Sequence, residues 1–185
     1  MKILNLEEVD KSTLFFRRLE DSGVEETVRE IIHDVAQNGD DALIRYANKF
    51  DHAELTRLEV SQEELDDALL VMPSELLDAM QTAAENIRVF HGRQLREGFR
   101  LELPNGAYMG QKITPIEKVG LYIPGGTASY PSTVFMNAIP AKLAGCALVV
   151  MVSPPNASGE IAPAILAAAK LAGVDRVFKI GRAHV

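Results

Sequence analysis

The loop Pro124-Gly125-Gly126-Thr127-Ala128-Ser129 follows a short apolar segment and precedes a helix-like one. Glycines there let backbone amides approach a ligand closely. A helix start behind them adds partial positive charge, which favours an anionic group. No Gly-Lys-Ser/Thr follows, so this is not a Walker A loop, and the Gly-x-Gly-x-x-Gly spacing is also absent. The same residues would serve equally as a tight strand-to-helix turn, and both readings stand at this point. Tyr122 ends the apolar segment, where a tyrosine ordinarily packs. Ser132 lies in the first turn of the next helix, where its hydroxyl could help cap. Cys146 is the only cysteine and reads as a small buried hydrophobe. His33, His52 and His91 sit on separate segments with no His or Cys partner at metal-ligand spacing, so they read as surface or packing residues. The residues thus suggest a binding loop but no catalytic or metal-ligating set, and the acidic face of residues 59–67 reads as a solvated helix.

The elements around these residues fall into two regions. Ser22 and Glu25 have capping-box spacing ahead of Val24, Val28, Ile31, Ile32 and Val35, with Gly39 as a left-handed helix end. Asp40 or Asp41 can cap the next helix. Ser61 and Glu64 repeat the box before Leu65, Leu69 and Met72. Pro73 suits a first turn of a long helix whose buried stripe is Leu76, Met80, Ala83, Ala84, Ile87 and Phe90. Phe99, Leu101 and Leu103 then alternate up to Asn105-Gly106, which suggests a β-hairpin. From residue 119 short apolar strands alternate with helices. Val119–Ile123 is a strand, and Pro131–Ala144 a helix distorted by Pro140. Leu148–Val152 is an apolar strand typical of a parallel sheet covered on both faces. Ile161–Ala172 is a helix and Val177–Ile180 a third strand. This order is Rossmann-like. The fold class is therefore α/β, an N-terminal helical region packed on an incomplete Rossmann-like parallel sheet. Residues 1–114 form the helical region with the hairpin at its end, and residues 115–185 begin the α/β domain.

Bulk properties agree with a globular chain. Of 185 residues, 47% are hydrophobic and 24% charged, and the net charge is −7. Residues 1–100 hold 22 of the 26 acidic side chains and 12 of the 19 basic ones. That asymmetry fits a solvated helical region followed by a more buried α/β one. No basic patch points to nucleic acid. No apolar run is long enough for a membrane span, and Met1–Asp10 has no signal-peptide pattern. One cysteine permits no internal disulfide, so a cytoplasmic location is expected.

The run Val119-Gly-Leu-Tyr-Ile-Pro-Gly-Gly-Thr-Ala, followed by Pro131-Ser-Thr-Val-Phe-Met-Asn-Ala-Ile-Pro-Ala-Lys-Leu-Ala-Gly-Cys146, resembles the signature stretch of histidinol dehydrogenases. The helix Ala84–Gln94 and the segment Val149–Pro155 also resemble that family. The resemblance runs from near residue 1 to about Gly181, in a family whose members are more than twice this length. It implies zinc- and NAD-dependent oxidation of L-histidinol to L-histidine through a bound aldehyde, in histidine biosynthesis. It further implies a homodimer, with Tyr122 as an NAD contact and Ser132 facing the substrate pocket. The family's zinc ligands and its Glu-His proton-transfer pair fall beyond Val185. Its Ile-Gly-Gly-Ala-Gln stretch reads Ile180-Gly181-Arg182-Ala183-His184 here, which suggests a truncated chain with a foreign or frameshifted tail after Gly181, inactive by itself. The alternative is a non-catalytic nucleotide- or phosphate-binding α/β module.

Overall fold

The computed structural model describes Val9, residues 24–125 and residues 129–181. Ser22 of the first expected capping box lies outside these residues. Helix α1 spans Val24–Tyr46 and is interrupted at Gly39, where φ is 53° and ψ is −132°. Only glycine adopts that combination readily. The break is where the sequence placed a helix end, but its ψ is not that of the expected left-handed helical cap. A π-helical turn, Ala47–Asp51, follows α1.

Ser61 caps α2 (Gln62–Leu70). Its hydroxyl accepts from the Glu64 amide at 3.1 Å, and the Glu64 carboxylate accepts from the Ser61 amide at 2.8 Å. This is the reciprocal box that the spacing predicts. Pro73 stands at the cap position ahead of α3 (Ser74–Gly92) rather than inside its first turn. The buried seam of α3 is Met80 and Ala84, with Leu77 and Ile87 half-buried. Leu76, Ala83 and Phe90, expected in the stripe, are exposed. They repeat every seven residues along one edge, and α3 meets its neighbours along a narrower seam than the sequence stripe suggested.

Strand β1 (Phe99–Glu102) pairs antiparallel with β2 (Tyr108–Gln111), confirming the hairpin. At its turn Gly106 has φ 82°, and the Asn105 side-chain oxygen accepts from the Ala107 amide. Every residue of both strands is exposed.

The α/β part runs β3 (Lys118–Tyr122), α4 (Pro131–Leu143), β4 (Leu148–Ser153), α5 (Pro163–Ala172) and β5 (Arg176–Lys179). The three strands are parallel in the order β3-β4-β5, with Val119 opposite Val149 and Met151 opposite Val177. Successive crossovers in one direction place α4 and α5 on the same face. There they pack on each other, with α2 against α5 and α3 against α4. Phe135 and Ile139 of α4, Ile165 of α5, and Val149, Met151 and Val177 of the sheet form the centre of one continuous core. Helix α4 runs through Pro140 without interruption.

Coverage of the sheet differs from expectation. Burial along β4 alternates, with Val149, Met151 and Ser153 buried and Leu148, Val150 and Val152 only partly so. The strand's continuous apolarity suggested two covered faces, whereas the second face is packed mainly at Phe178, against a small core of Ala47, Ala53, Leu55 and Leu58. The edge of β5 is capped. The Val60 amide donates to the Val177 carbonyl, and the Lys179 amide donates to the Leu58 carbonyl, in an antiparallel bridge. Charges follow the same docking. Glu59 holds Arg176 through two bonds of 2.8 Å, Glu64 holds Lys179 at 2.6 Å, and Asp66 holds Lys170 at 2.8 Å. The acidic face of residues 59–67 is therefore not simply solvated. It is ion-paired to α5 and β5.

Candidate functional site

Parallel strands end together at one edge of the sheet, and the loops that leave them there enclose whatever binds. A cavity of about 220 Å³ lies at the carboxyl ends of β3 and β4. Pro124, Gly125 and Ser129 line one side of it, and Ser153, Pro154, Pro155, Asn156 and Glu160 the other. Ala162 and Ile165, at the start of α5, complete the lining. The volume is below the roughly 300–1,000 Å³ typical of drug-sized ligand pockets, so it suits one part of a larger molecule.

The two walls are fitted to each other. A Cβ built on Gly125 would lie 2.6 Å from Cγ of Pro154 and 3.2 Å from its carbonyl oxygen. Only glycine lets the first loop come this close to the second. This is a firmer reason for glycine than the ligand approach read from the sequence, and it concerns the described part of that loop.

The second wall is held by Asn156. Its side-chain oxygen accepts from the amides of Ser158 at 2.9 Å and Glu160 at 3.0 Å. Its own amide donates to the Glu160 carbonyl at 2.8 Å, and its carbonyl accepts from Gly159 at 2.9 Å. An asparagine that satisfies the turn's amides in this way makes a closed loop without regular structure. Gly159 completes it with φ 77° and packs against Leu55. The exposed Glu160 carboxylate, in contrast to its backbone, has no hydrogen-bond or ion-pair partner among the described residues. Among the described residues it is the only charged one lining the cavity.

Tyr122 is the last residue of β3, opposite Val152 in register. Leu121 and Ile123 turn towards the helices, so Tyr122 projects from the other face, where it is 43% exposed. It reaches the same sheet edge as the cavity without lining it. Ser132 is the second residue of α4 and is exposed. The helix is capped by Tyr130 with no side-chain bond, so the Ser132 hydroxyl does not fill that role. Neither residue shares the cavity with Glu160. Cys146 is half-buried against the main core. The ring nitrogen Nδ1 of His91 lies 2.6 Å from Oε1 of Gln94, while His33 and His52 are exposed.

Asn156, Glu160 and Ser153 were not singled out by the sequence reasoning. A signal was present in Pro154-Pro155-Asn156, followed by Gly159, which punctuates the chain directly after an apolar strand.

A family model described as histidinol dehydrogenase matches residues 16–185. The histidinol dehydrogenase of Methanosarcina mazei is 48% identical over 181 residues, covering 97% of this chain and 42% of that protein. The histidinol dehydrogenase of Syntrophotalea carbinolica is 52% identical over 165 residues, or 88% of this chain and 38% of that one. Among solved structures, histidinol dehydrogenase from Elizabethkingia anophelis aligns with a TM-score of 0.84 at 40% identity, covering 90% of this chain and 38% of its own. The chain thus spans about two fifths of the length of these relatives.

Proposed function

The chain belongs to the histidinol dehydrogenase family, and on that premise we propose that it forms the dinucleotide-binding part of an enzyme that oxidises L-histidinol to L-histidine through the aldehyde. NAD, when bound, accepts the hydride. The observation that carries this reading is the cavity at the carboxyl edge of β3 and β4, bounded by the Gly125 loop and the Asn156 loop. In open α/β sheets a nucleotide lies across that edge. The donors and acceptors there fit part of a dinucleotide: hydroxyls at Ser129 and Ser153, the amide group of Asn156 and the carboxylate of Glu160. Tyr122 gives the cofactor a flat ring and a phenol at the same edge, and Ser132 faces the substrate from the first turn of α4.

The residues described do not fit a zinc site. No group of three or more His, Cys, Asp or Glu side chains among them could hold a metal ion. No step of the reaction is therefore assigned to zinc on this chain. The role left to these residues is to bind and orient the dinucleotide, and by itself the chain binds without turnover.

Calorimetric titration of the 185-residue chain with NAD tests the reading. Saturable binding that is lost with Gly125→Ala supports it. Absence of binding at millimolar NAD overturns it.

A further inference from the structure

We infer that a groove between α2 and the start of α5 binds a small primary amine, an ammonium carried on a short apolar or aromatic body. The groove has a volume of about 260 Å³. It shares Asn156 and Glu160 with the cavity at the sheet edge and is otherwise lined by different residues.

Its shape comes from helix packing. Glu64, Asp67, Ala68 and Val71 recur at helical spacing, so they share the face of α2 that meets α5. Ala68, Ile161 and Leu166 are buried and give the groove an apolar floor. An engineered protein cavity of about 150 Å³ takes benzene, so this groove has room for one ring and a short arm.

The rim is negative from two independent sources. The Asp67 and Glu160 side chains are exposed, and neither carboxylate has a hydrogen-bond or ion-pair partner among the described residues. Glu64 adds little, because its charge is met by Lys179 at 2.6 Å and Arg57 at 2.8 Å. The second source is the end of α2, whose last turn lines the groove through Asp67, Ala68 and Val71. That turn holds no basic residue, and among the described residues no amide beyond Val71 returns to the carbonyls of Ala68, Leu69 or Leu70. A helix end left in this way favours a cation. The start of α5 opposes it weakly, since Pro163 has no amide hydrogen and the amides of Ile165 and Leu166 both donate to the Ala162 carbonyl. No Lys, Arg or His among the described residues lines the groove. An ammonium has three donors and no acceptor, which complements a rim of acceptors over an apolar floor. Its bonds to carboxylates are charge-assisted, and the apolar body covers the floor.

The test titrates the 185-residue chain by calorimetry with phenethylamine, with phenethyl alcohol as its uncharged counterpart, and with phenylacetate as an anion of similar shape. Two variants accompany it. Asp67→Asn removes one rim charge at an exposed position, so it should melt with the parent. Val71→Lys supplies an ammonium from the chain itself. Val71 is 65% exposed, and a cation at a helix C-terminus is favourable, so this variant should fold too. The expected result is saturable binding of phenethylamine at millimolar concentration or below. The alcohol should bind at least about tenfold more weakly, and phenylacetate not at all. Affinity for the amine should fall roughly tenfold in Asp67→Asn and be lost in Val71→Lys. No saturation by the amine at millimolar concentration overturns the inference. So does an alcohol, or an Asp67→Asn variant, whose dissociation constant stays within about twofold of that of the parent with the amine.

Discussion

Gly125 and Pro154 touch across the carboxyl edge of the sheet so closely that a methyl group on Gly125 would lie 2.6 Å from the proline ring. The ring is stiff, and the carbonyl of the same residue is 3.2 Å away. Gly125→Ala must therefore part the two loops. Overpacking of this kind costs about 1–3 kcal/mol. NAD affinity should fall with stability, because the loops that separate are the two walls of the cavity. Thermal unfolding and a titration on the same sample check both. An unchanged melting temperature would show that the walls are not in contact.

Tyr122→Ala should weaken NAD binding with little effect on folding. The ring is 43% exposed and stands on the sheet face away from the main core, so its removal leaves no large cavity. Loss of a stacking or hydrogen-bonding contact typically costs about 1–2 kcal/mol, or roughly five- to thirtyfold in affinity. Calorimetry with NAD reads it directly, and an unaltered dissociation constant would remove Tyr122 from the site.

The sequence was most legible where local chemistry dictates structure. Ser61 and Glu64 announced a helix start by spacing alone, and Asn105-Gly106 announced a hairpin. The alternation of apolar strands and helices after Val119 carried the parallel sheet. It was least legible where partners are distant in the chain. Nothing near Glu59 or Glu64 shows that Arg176 and Lys179 will meet them, more than a hundred residues on. Apolarity along Leu148–Val152 does not say which face finds a helix. Tyr122 and Ser132 came from family likeness, whereas Glu160 emerged only when two loops separated by about thirty residues closed on one cavity.

Lys179 and Glu64 should be energetically coupled. The Lys179 side chain is only 12% exposed, and the Glu64 carboxylate also serves in the helix cap of α2. Burial alone would push the Glu64 carboxyl up, but the Lys179 ammonium and the Ser61 amide outweigh it and hold it below its usual range. Glu64→Gln keeps an acceptor for the Ser61 amide and removes only the charge. A double-mutant cycle with Lys179→Met should give a coupling of about 1 kcal/mol, discounted for the partial exposure of Glu64. Urea denaturation measures it, and strict additivity would mean the pair contributes nothing to docking α2 on β5.

Asp175 should give stability a dependence on acid pH. Burial raises its carboxyl, but the Lys142 ammonium and the Val149 amide lower it further, so the folded group titrates below its ordinary value of 3.8. A carboxyl depressed by folding contributes its full stabilisation above the unfolded value and loses it as pH falls through the folded one. Asp175→Asn should therefore destabilise by about 1 kcal/mol at neutral pH, an amount limited by solvent screening of a partly exposed pair. As pH falls through the lowered folded value the difference between parent and variant should close, the parent having lost the same charge. Parallel melting curves from neutral pH to pH 2 test this. A gap that stays constant into acid would assign the effect to lost packing instead.

The chain alone should not oxidise histidinol. Alcohol oxidation needs a proton acceptor within hydrogen-bond reach of the reacting hydroxyl, besides a hydride acceptor. Among the described histidines, His33 and His52 are exposed on the helical region, and His91 is paired with Gln94. None lines the cavity between Gly125 and Glu160. Glu160 is the one carboxylate among the described residues there, and no histidine stands beside it to form a proton-transfer pair. Affinity for NAD without a positioned acceptor gives binding and no turnover. Purified chain supplied with zinc, histidinol and NAD should show a flat NADH absorbance, while NAD still titrates to saturation in the calorimeter. Sustained NADH formation that depends on zinc and stops with a chelator would show that these residues hold the metal and move the proton themselves.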